Sequence, residues 1–150
     1  MTHYNKDTYP NIFILDNKEK AAVEFANFRE NYLLMVVYNY PAFSTNHARA
    51  FNRAANTVAT NQEGLPEKRV LLIEDAAVLE AVKTDIETLL KTKGATYGEV
   101  AAFTTIKGTE TVAATLSKNE MVLPTKINGA FNTAISAYAK LHTNNNSSTA

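Results

Sequence analysis

The stretch "YLLMVVY", residues 32–38, is the longest apolar run in the chain. It is much shorter than the roughly 20 residues that a membrane-spanning helix needs. The residues leading into it recur at intervals of 4, 3, 4 and 3, the spacing of an amphipathic helix. These residues are Ala21, Phe25, Phe28, Tyr32 and Met35. The run is therefore predicted to form the last turns of a helix over residues 17–39, buried on more than one side and ended near Pro41.

A second helix is predicted over residues 44–60. Ser44 or Thr45 can cap its first turn by accepting a bond from a free backbone N–H, and an apolar residue, Phe43, precedes them. The core stripe consists of Ala48, Phe51, Ala55 and Val58. Arg49 and Arg53 lie on a different stripe of the same helix and are therefore expected to face a polar environment.

The rest of the chain is predicted to add two more helices. The segment "RVLLIED", residues 69–75, favours a short strand, after which Asp75 can cap a third helix over residues 75–93. Residues 94–125 are rich in Thr, Ala and Gly and lack a clear period, which indicates a long, mostly irregular connection. A fourth helix is predicted over residues 126–142 and a disordered polar tail over 143–150.

These elements predict an all-α fold, an antiparallel four-helix bundle with a small strand region and a long irregular loop. The chain has 150 residues, which suits one hydrophobic core, so residues 1–142 are expected to form a single domain. The N-terminus has neither a basic segment nor a following apolar segment, so a secretory signal is not expected. A cytosolic protein without a membrane partner is the expectation.

The composition argues against several kinds of chemistry. The chain has 15 basic and 15 acidic residues and no cysteine. No global field attracts polyanions, and disulfides, thiolate zinc sites and cysteine nucleophiles are excluded. No phosphate loop or nucleophile elbow is present, and His3, His47 and His142 have no second ligand at helical spacing. An enzyme, a metal site and a cofactor are therefore not expected.

Three segments suggest a family when they are taken in order. "FSTNHAR", residues 43–49, places a Phe six residues before an Arg, and it is followed by "LPEKRVLLIEDAAVLEAVKTDIETLL", residues 65–90, and by "KTK", residues 91–93. Together they resemble the coat proteins of rod-shaped helical plant RNA viruses, the tobacco mosaic virus type and its relatives. Lysines replace the paired arginines of that family.

The resemblance implies a virion coat protein, many copies of which assemble into a helical rod around single-stranded RNA. Arg49, Lys91 and Lys93 would contact RNA phosphates, and Thr45 would lie beside them. Arg53 is included only because it lies one turn beyond Arg49. The full set expected at the RNA is Arg49, Lys91, Lys93, Thr45, Arg53, Lys118 and Glu120. The implied locations are the virion and the cytoplasm of the host cell.

A second hypothesis is a helical-bundle interaction or adaptor module that does not assemble into a polymer. Its support is the apolar excess of "YLLMVVYNY", residues 32–40, and the lack of catalytic motifs. The positions of Arg49, Lys91 and Lys93 discriminate between the two hypotheses. Side chains on unrelated faces of the monomer favour the interaction module.

Overall fold

The structure is a computed structural model that describes residues 9–40, 43–57, 66–98 and 100–147, without the side chains of 57 and 142–147. The described residues form a five-stranded mixed sheet with α-helices on both faces. The strands are β1 (Ile12–Ile14), β2 (Leu33–Tyr38), β3 (Lys68–Ile73), β4 (Ala102–Thr105) and β5 (Val112–Leu116). The helices are α1 (Ala21–Asn31), α2 (Thr45–Thr57), α3 (Ala76–Lys93) and α4 (Pro124–Ser147), with a 3-10 turn at Glu120–Val122.

The prediction of an all-α four-helix bundle is wrong. The first helix, predicted over residues 17–39, ends at Asn31, and the apolar run that follows is strand β2. All six residues of β2 are buried because the strand lies at the centre of the sheet and is covered on both faces. A strand of this kind is apolar at every position, so its sequence has no alternation that distinguishes it from a buried helical turn.

The prediction of a mostly irregular connection over residues 94–125 is also wrong, because this segment contains β4 and β5. These two strands pair antiparallel through a turn in which Gly108 and Glu110 have φ angles of 73° and 57°. Both residues occupy the left-handed region that hairpin turns require and that glycine adopts most readily. The threonines and alanines of this segment supply the side chains of two short strands.

The sheet has the strand order β1-β3-β2-β4-β5. β1 and β2 both pair parallel with β3, whereas β4 runs antiparallel to β2. The path from β1 to β2 and the path from β2 to β3 run in opposite directions across the sheet. Connections between parallel strands of one sheet have the same, right-handed sense. Because the two connections run in opposite directions, their helices α1 and α2 lie on opposite faces of the sheet.

Each face of the sheet is covered by two helices. α2 and α4 pack with Met35, Val37 and Val70 in one apolar cluster. α1 and α3 pack with Val36 and Leu71 in the other. The neighbouring residues of one strand therefore serve different cores.

The later helices lie close to their predicted positions. Asp75 caps α3 as expected, accepting bonds from the backbone N–H groups of Ala77 and Val78, and Gly94 ends the helix in a left-handed conformation with φ 83°. α4 extends to Ser147, five residues into the segment predicted to be disordered, and 148–150 lie outside the described residues. Among the helices described, none is both long enough and apolar enough to cross a membrane.

Candidate ligand-binding crevice

A crevice lies where the central strands β2 and β3 end. Their last residues, Tyr38 and Ile73, are paired in register. The chain leaves β2 towards α2 on one face and leaves β3 towards α3 on the other. The two connections thus diverge from neighbouring strands, which opens a crevice beyond their carboxyl ends. This is the place where open α/β sheets usually bind ligands.

This carboxyl-edge crevice has a volume of about 400 Å³. It is lined by residues that follow β2, residues that follow β3 and the first turn of α3. They are Asn39, Tyr40, Ile73, Glu74, Ala76 and Leu79. Asn39 has a φ angle of 53°, a left-handed conformation that asparagine tolerates better than most residues. The turn at Asn39 directs the chain out of β2 and along the wall of the crevice.

Among the residues that line the crevice, Glu74 is the one that carries a charge. The N-terminus of α3 also meets the crevice, but two of its N–H donors are already used by Asp75. Asp75 Oδ1 accepts from the backbone N–H groups of Ala77 and Val78 at 2.8 and 3.2 Å. The positive end of the helix dipole is thus compensated by a carboxylate of the same chain. An anion therefore gains little from the helix dipole here, and the charge in the lining, that of Glu74, is negative.

Tyr40, which forms one wall, is positioned by α2. Its hydroxyl lies 3.3 Å from His47 Nε2, and its ring contacts the rings of Phe43 and His47 edge-on. The other imidazole nitrogen, Nδ1, accepts from the backbone N–H of Ser44 at 3.1 Å. An Nδ1 that accepts this bond carries no proton, so the proton is on Nε2, which donates to Tyr40 Oη.

Ser44 and His47 together form a reciprocal cap at the start of α2. The His47 backbone N–H donates to Ser44 Oγ at 3.4 Å, while Ser44 Oγ lies 2.8 Å from His47 Nδ1. The geometry is that of a capping box in which His replaces the usual Glu or Gln. Helix capping thus accounts for the contact between the serine and the histidine, which resembles a catalytic pair in composition alone.

Burial lowers the pKa of His47 below its ordinary value of 6.5. Between the lowered pKa of His47 in the folded chain and its ordinary pKa in the unfolded chain, only the unfolded chain binds the proton. Acidification therefore favours unfolding. We expect the free energy of unfolding to fall as the pH drops below about 6.5. Urea unfolding at pH 7.5 and pH 5.5 measures the change.

Replacing His47 with Gln supplies the matched variant for this pH dependence. Gln can accept from the Ser44 N–H in the same cap but does not titrate, so His47→Gln should show a smaller loss of stability between pH 7.5 and pH 5.5. His142→Gln should retain the full loss. Equal pH dependence in wild type and His47→Gln would show that His47 is not the responsible group.

The structure separates the residues predicted to bind RNA. Arg49, Arg53 and Thr45 are exposed on α2, whereas Lys91 and Lys93 are exposed at the end of α3. These two helices cover opposite faces of the sheet. The end of α3 is also at the opposite edge of the sheet from the start of α2. The predicted cations therefore do not form one patch on the subunit.

Lys118 and Glu120 lie apart from both groups, in the turn that leads to α4. Lys118 is exposed. Glu120 Oε1 accepts from the backbone N–H of Ser117 at 2.9 Å, a bond that lowers the pKa of the carboxyl below its usual value. Glu120 thus closes a turn of its own chain.

None of the six residues that line the crevice belongs to the predicted site, and two of them, Asn39 and Tyr40, directly follow β2. Their signal is their position, since a polar residue directly after a buried parallel strand lies at the ligand-binding edge of a sheet. That signal depends on recognising residues 33–38 as a strand, and the helical prediction concealed it.

Neither a metal site nor a similar protein identifies a ligand for the crevice. Within the described residues, no group of three or more His, Asp or Glu side chains is placed to hold a metal ion. Comparison of the chain with family models, with curated proteins and with solved structures gave no match. The resemblance to rod-shaped virus coat proteins thus rests only on the segments quoted above.

Proposed function

We propose that this chain is a non-catalytic binding domain that holds a small organic cation in the carboxyl-edge crevice. The observation that carries the proposal is the crevice itself, at the point where the chain leaves β2 and β3 towards opposite faces. Its volume of about 400 Å³ lies in the range of small-molecule sites.

The chemistry of the lining supports an amphipathic cation. Ile73, Ala76 and Leu79 offer apolar surface, and Glu74 offers negative charge. Asn39 and Tyr40 add polar groups that can orient a ligand. Since Asp75 already caps α3, the site favours an amine over a carboxylate or phosphate.

A binding role fits the site better than catalysis. His47 is held in its neutral form with both ring nitrogens engaged in capping and in the contact with Tyr40. Ser44 Oγ belongs to the same cap. The residues that could act as nucleophile and base therefore have a structural explanation.

Three probes with a common phenyl ring test the proposal: phenethylamine, 2-phenylethanol and 3-phenylpropanoate. Titrations followed by amide shifts in ¹⁵N NMR spectra should show the strongest binding for the amine, with shifts at Asn39, Tyr40 and Ala76. Glu74→Gln should reduce the preference for the amine over the alcohol by about threefold or more. Glu87→Gln, on α3 but outside the crevice, should leave it unchanged.

Two tryptophan variants test the location. Ala76→Trp puts a large ring into the crevice and should abolish binding of all three probes. Ala77→Trp makes the same change at the next exposed position of α3 and should leave binding intact. Unchanged binding in Ala76→Trp would refute the crevice as the site.

The coat-protein hypothesis remains a prediction that the fold does not support. The helical bundle that the resemblance implies is not present, and Arg49 lies on a different face from Lys91 and Lys93. Negative-stain electron microscopy with single-stranded RNA tests it directly, since rods whose length follows the RNA would establish assembly. The interaction-module hypothesis loses its helical bundle but retains the non-catalytic role proposed above.

A further inference from the structure

A second pocket lies at the opposite edge of the sheet, where β2 and β3 begin. This amino-edge pocket has a volume of about 370 Å³. It is lined by the chain around edge strand β1, by the end of α1 and by one residue of β3. They are Pro10, Ile12, Phe13, Phe28, Tyr32 and Arg69.

Three aromatic rings form a continuous wall of this pocket. The ring centroids of Phe13 and Phe28 are 4.8 Å apart, and those of Phe28 and Tyr32 are 5.3 Å apart. The guanidinium carbon of Arg69 lies 5.0 Å from the centroid of the Tyr32 ring. Rings and a planar cation in such contact form a surface that suits another flat ring.

Arg69 is held in place before any ligand arrives. Its Nη1 donates to the backbone carbonyl of Lys68 at 2.8 Å and to Asn11 Oδ1 at 3.3 Å, and its Nη2 donates to Glu67 Oε1 at 2.6 Å. Asn11 is itself fixed by α2, because Asn56 Oδ1 accepts from Asn11 Nδ2 at 2.7 Å. A guanidinium has five N–H donors and these three bonds use three of them, so two are not used by these bonds within the described part of the chain.

Two adjacent cations lie at the start of β3. Arg69 and Lys68 are adjacent cations, and Glu67 is the carboxylate paired with Arg69. Burial lowers the pKa of Lys68, and the nearby Arg69 charge lowers it further. A ligand that brings negative charge reduces this repulsion.

We infer that the amino-edge pocket binds a planar aromatic anion whose ring packs on Phe28 and Tyr32 and whose carboxylate accepts from Arg69. The ring of the ligand makes apolar contacts with the aromatic wall. Its carboxylate accepts from N–H groups of Arg69 that are not used in the bonds to Lys68, Asn11 and Glu67. A planar carboxylate matches the planar guanidinium better than a tetrahedral or spherical anion does. This ligand differs in charge from the one proposed for the carboxyl-edge crevice.

The probes for this pocket are 2-naphthoate and its neutral analogue 2-naphthamide. The chain has no tryptophan, so naphthalene fluorescence can be followed without a protein signal that overlaps it strongly. Naphthoate should bind more tightly than naphthamide. Amide shifts in NMR spectra should appear at Phe13, Phe28 and Arg69.

Variants separate the ring contact from the charge contact. Arg69→Gln should weaken naphthoate by about fivefold or more and change naphthamide by less than twofold, since a charged hydrogen bond is lost only with naphthoate. Arg49→Gln, the same change on the opposite side of the molecule, should affect neither probe. Phe28→Leu should weaken both probes by roughly 2- to 10-fold.

Two further variants serve as controls, one for loss of folding in Arg69→Gln and one for binding of the probes in the carboxyl-edge crevice. Arg69→Lys keeps the positive charge and should retain part of the preference for naphthoate if Arg69→Gln proves unstable. Ala76→Trp, which fills the carboxyl-edge crevice, should leave naphthoate binding unchanged. Equal binding of the two probes, or a preference that survives Arg69→Gln in a folded protein, would overturn the inference.

Discussion

Replacing Val36 with Asp should leave the chain largely unfolded at room temperature. Val36 is completely buried at the centre of β2, facing α1 and α3. The described residues of its cluster are apolar side chains that cannot pair with a carboxylate, and an unpaired buried charge is among the most damaging substitutions. We expect a loss of at least about 4 kcal/mol in the free energy of unfolding. That loss approaches the whole stability of a typical domain.

Val23→Asp is the matched control for Val36→Asp. Val23 is 73% exposed in the first turn of α1, where a carboxylate also meets the favourable end of the helix dipole. We expect a change within about 0.5 kcal/mol. Urea unfolding followed by far-UV circular dichroism measures both variants. Similar losses in the two would contradict the buried central strand.

Replacing Leu89 with Ala should cost about 2–5 kcal/mol of unfolding free energy. Leu89 is completely buried on the inner side of α3, where it packs against the sheet. Truncation removes apolar contacts and leaves a cavity that the neighbouring side chains can only partly fill. Thermal and urea unfolding should both shift.

Leu141→Ala makes the same chemical change in α4 and is the matched control for Leu89→Ala. In the structure Leu141 is 44% exposed near the end of α4. We expect this variant to lose less than about 1 kcal/mol, because much of the side chain already contacts water. Equal losses at Leu89 and Leu141 would show that the end of α4 is more deeply packed than described.

The parts of the fold that depend on local signals were predictable. The cap at Asp75, the left-handed stop at Gly94 and the exposed stripe of Arg49 and Arg53 follow from helix geometry within a few residues. Strand β3 was also indicated by its β-branched and aliphatic composition. Each of these features depends on neighbours along the chain.

The sheet was not predictable in the same way because it depends on distant partners. The apolar spacing of α1 continues through Tyr32 to Met35, so periodicity alone extends the helix into β2. β2 is a strand because β3 and β4 bond to its two sides, and these begin 35 and 69 residues after the start of β2 (68 − 33 and 102 − 33). The carboxyl-edge crevice exists only once those partners are in place.

The position of β2 also affects how the chain emerges during synthesis. Its six apolar residues emerge from the ribosome before Lys68, the first residue of their neighbour β3, which follows 30 residues after Tyr38 (68 − 38). At about 5–20 residues per second this interval lasts seconds, far longer than a local hairpin or helix needs to form. During that time an apolar segment with free backbone groups can pair with the same segment of another nascent chain. Slowing synthesis after β2 has emerged and before its two neighbours β3 and β4 have emerged should therefore increase aggregation, whereas slowing it later should not.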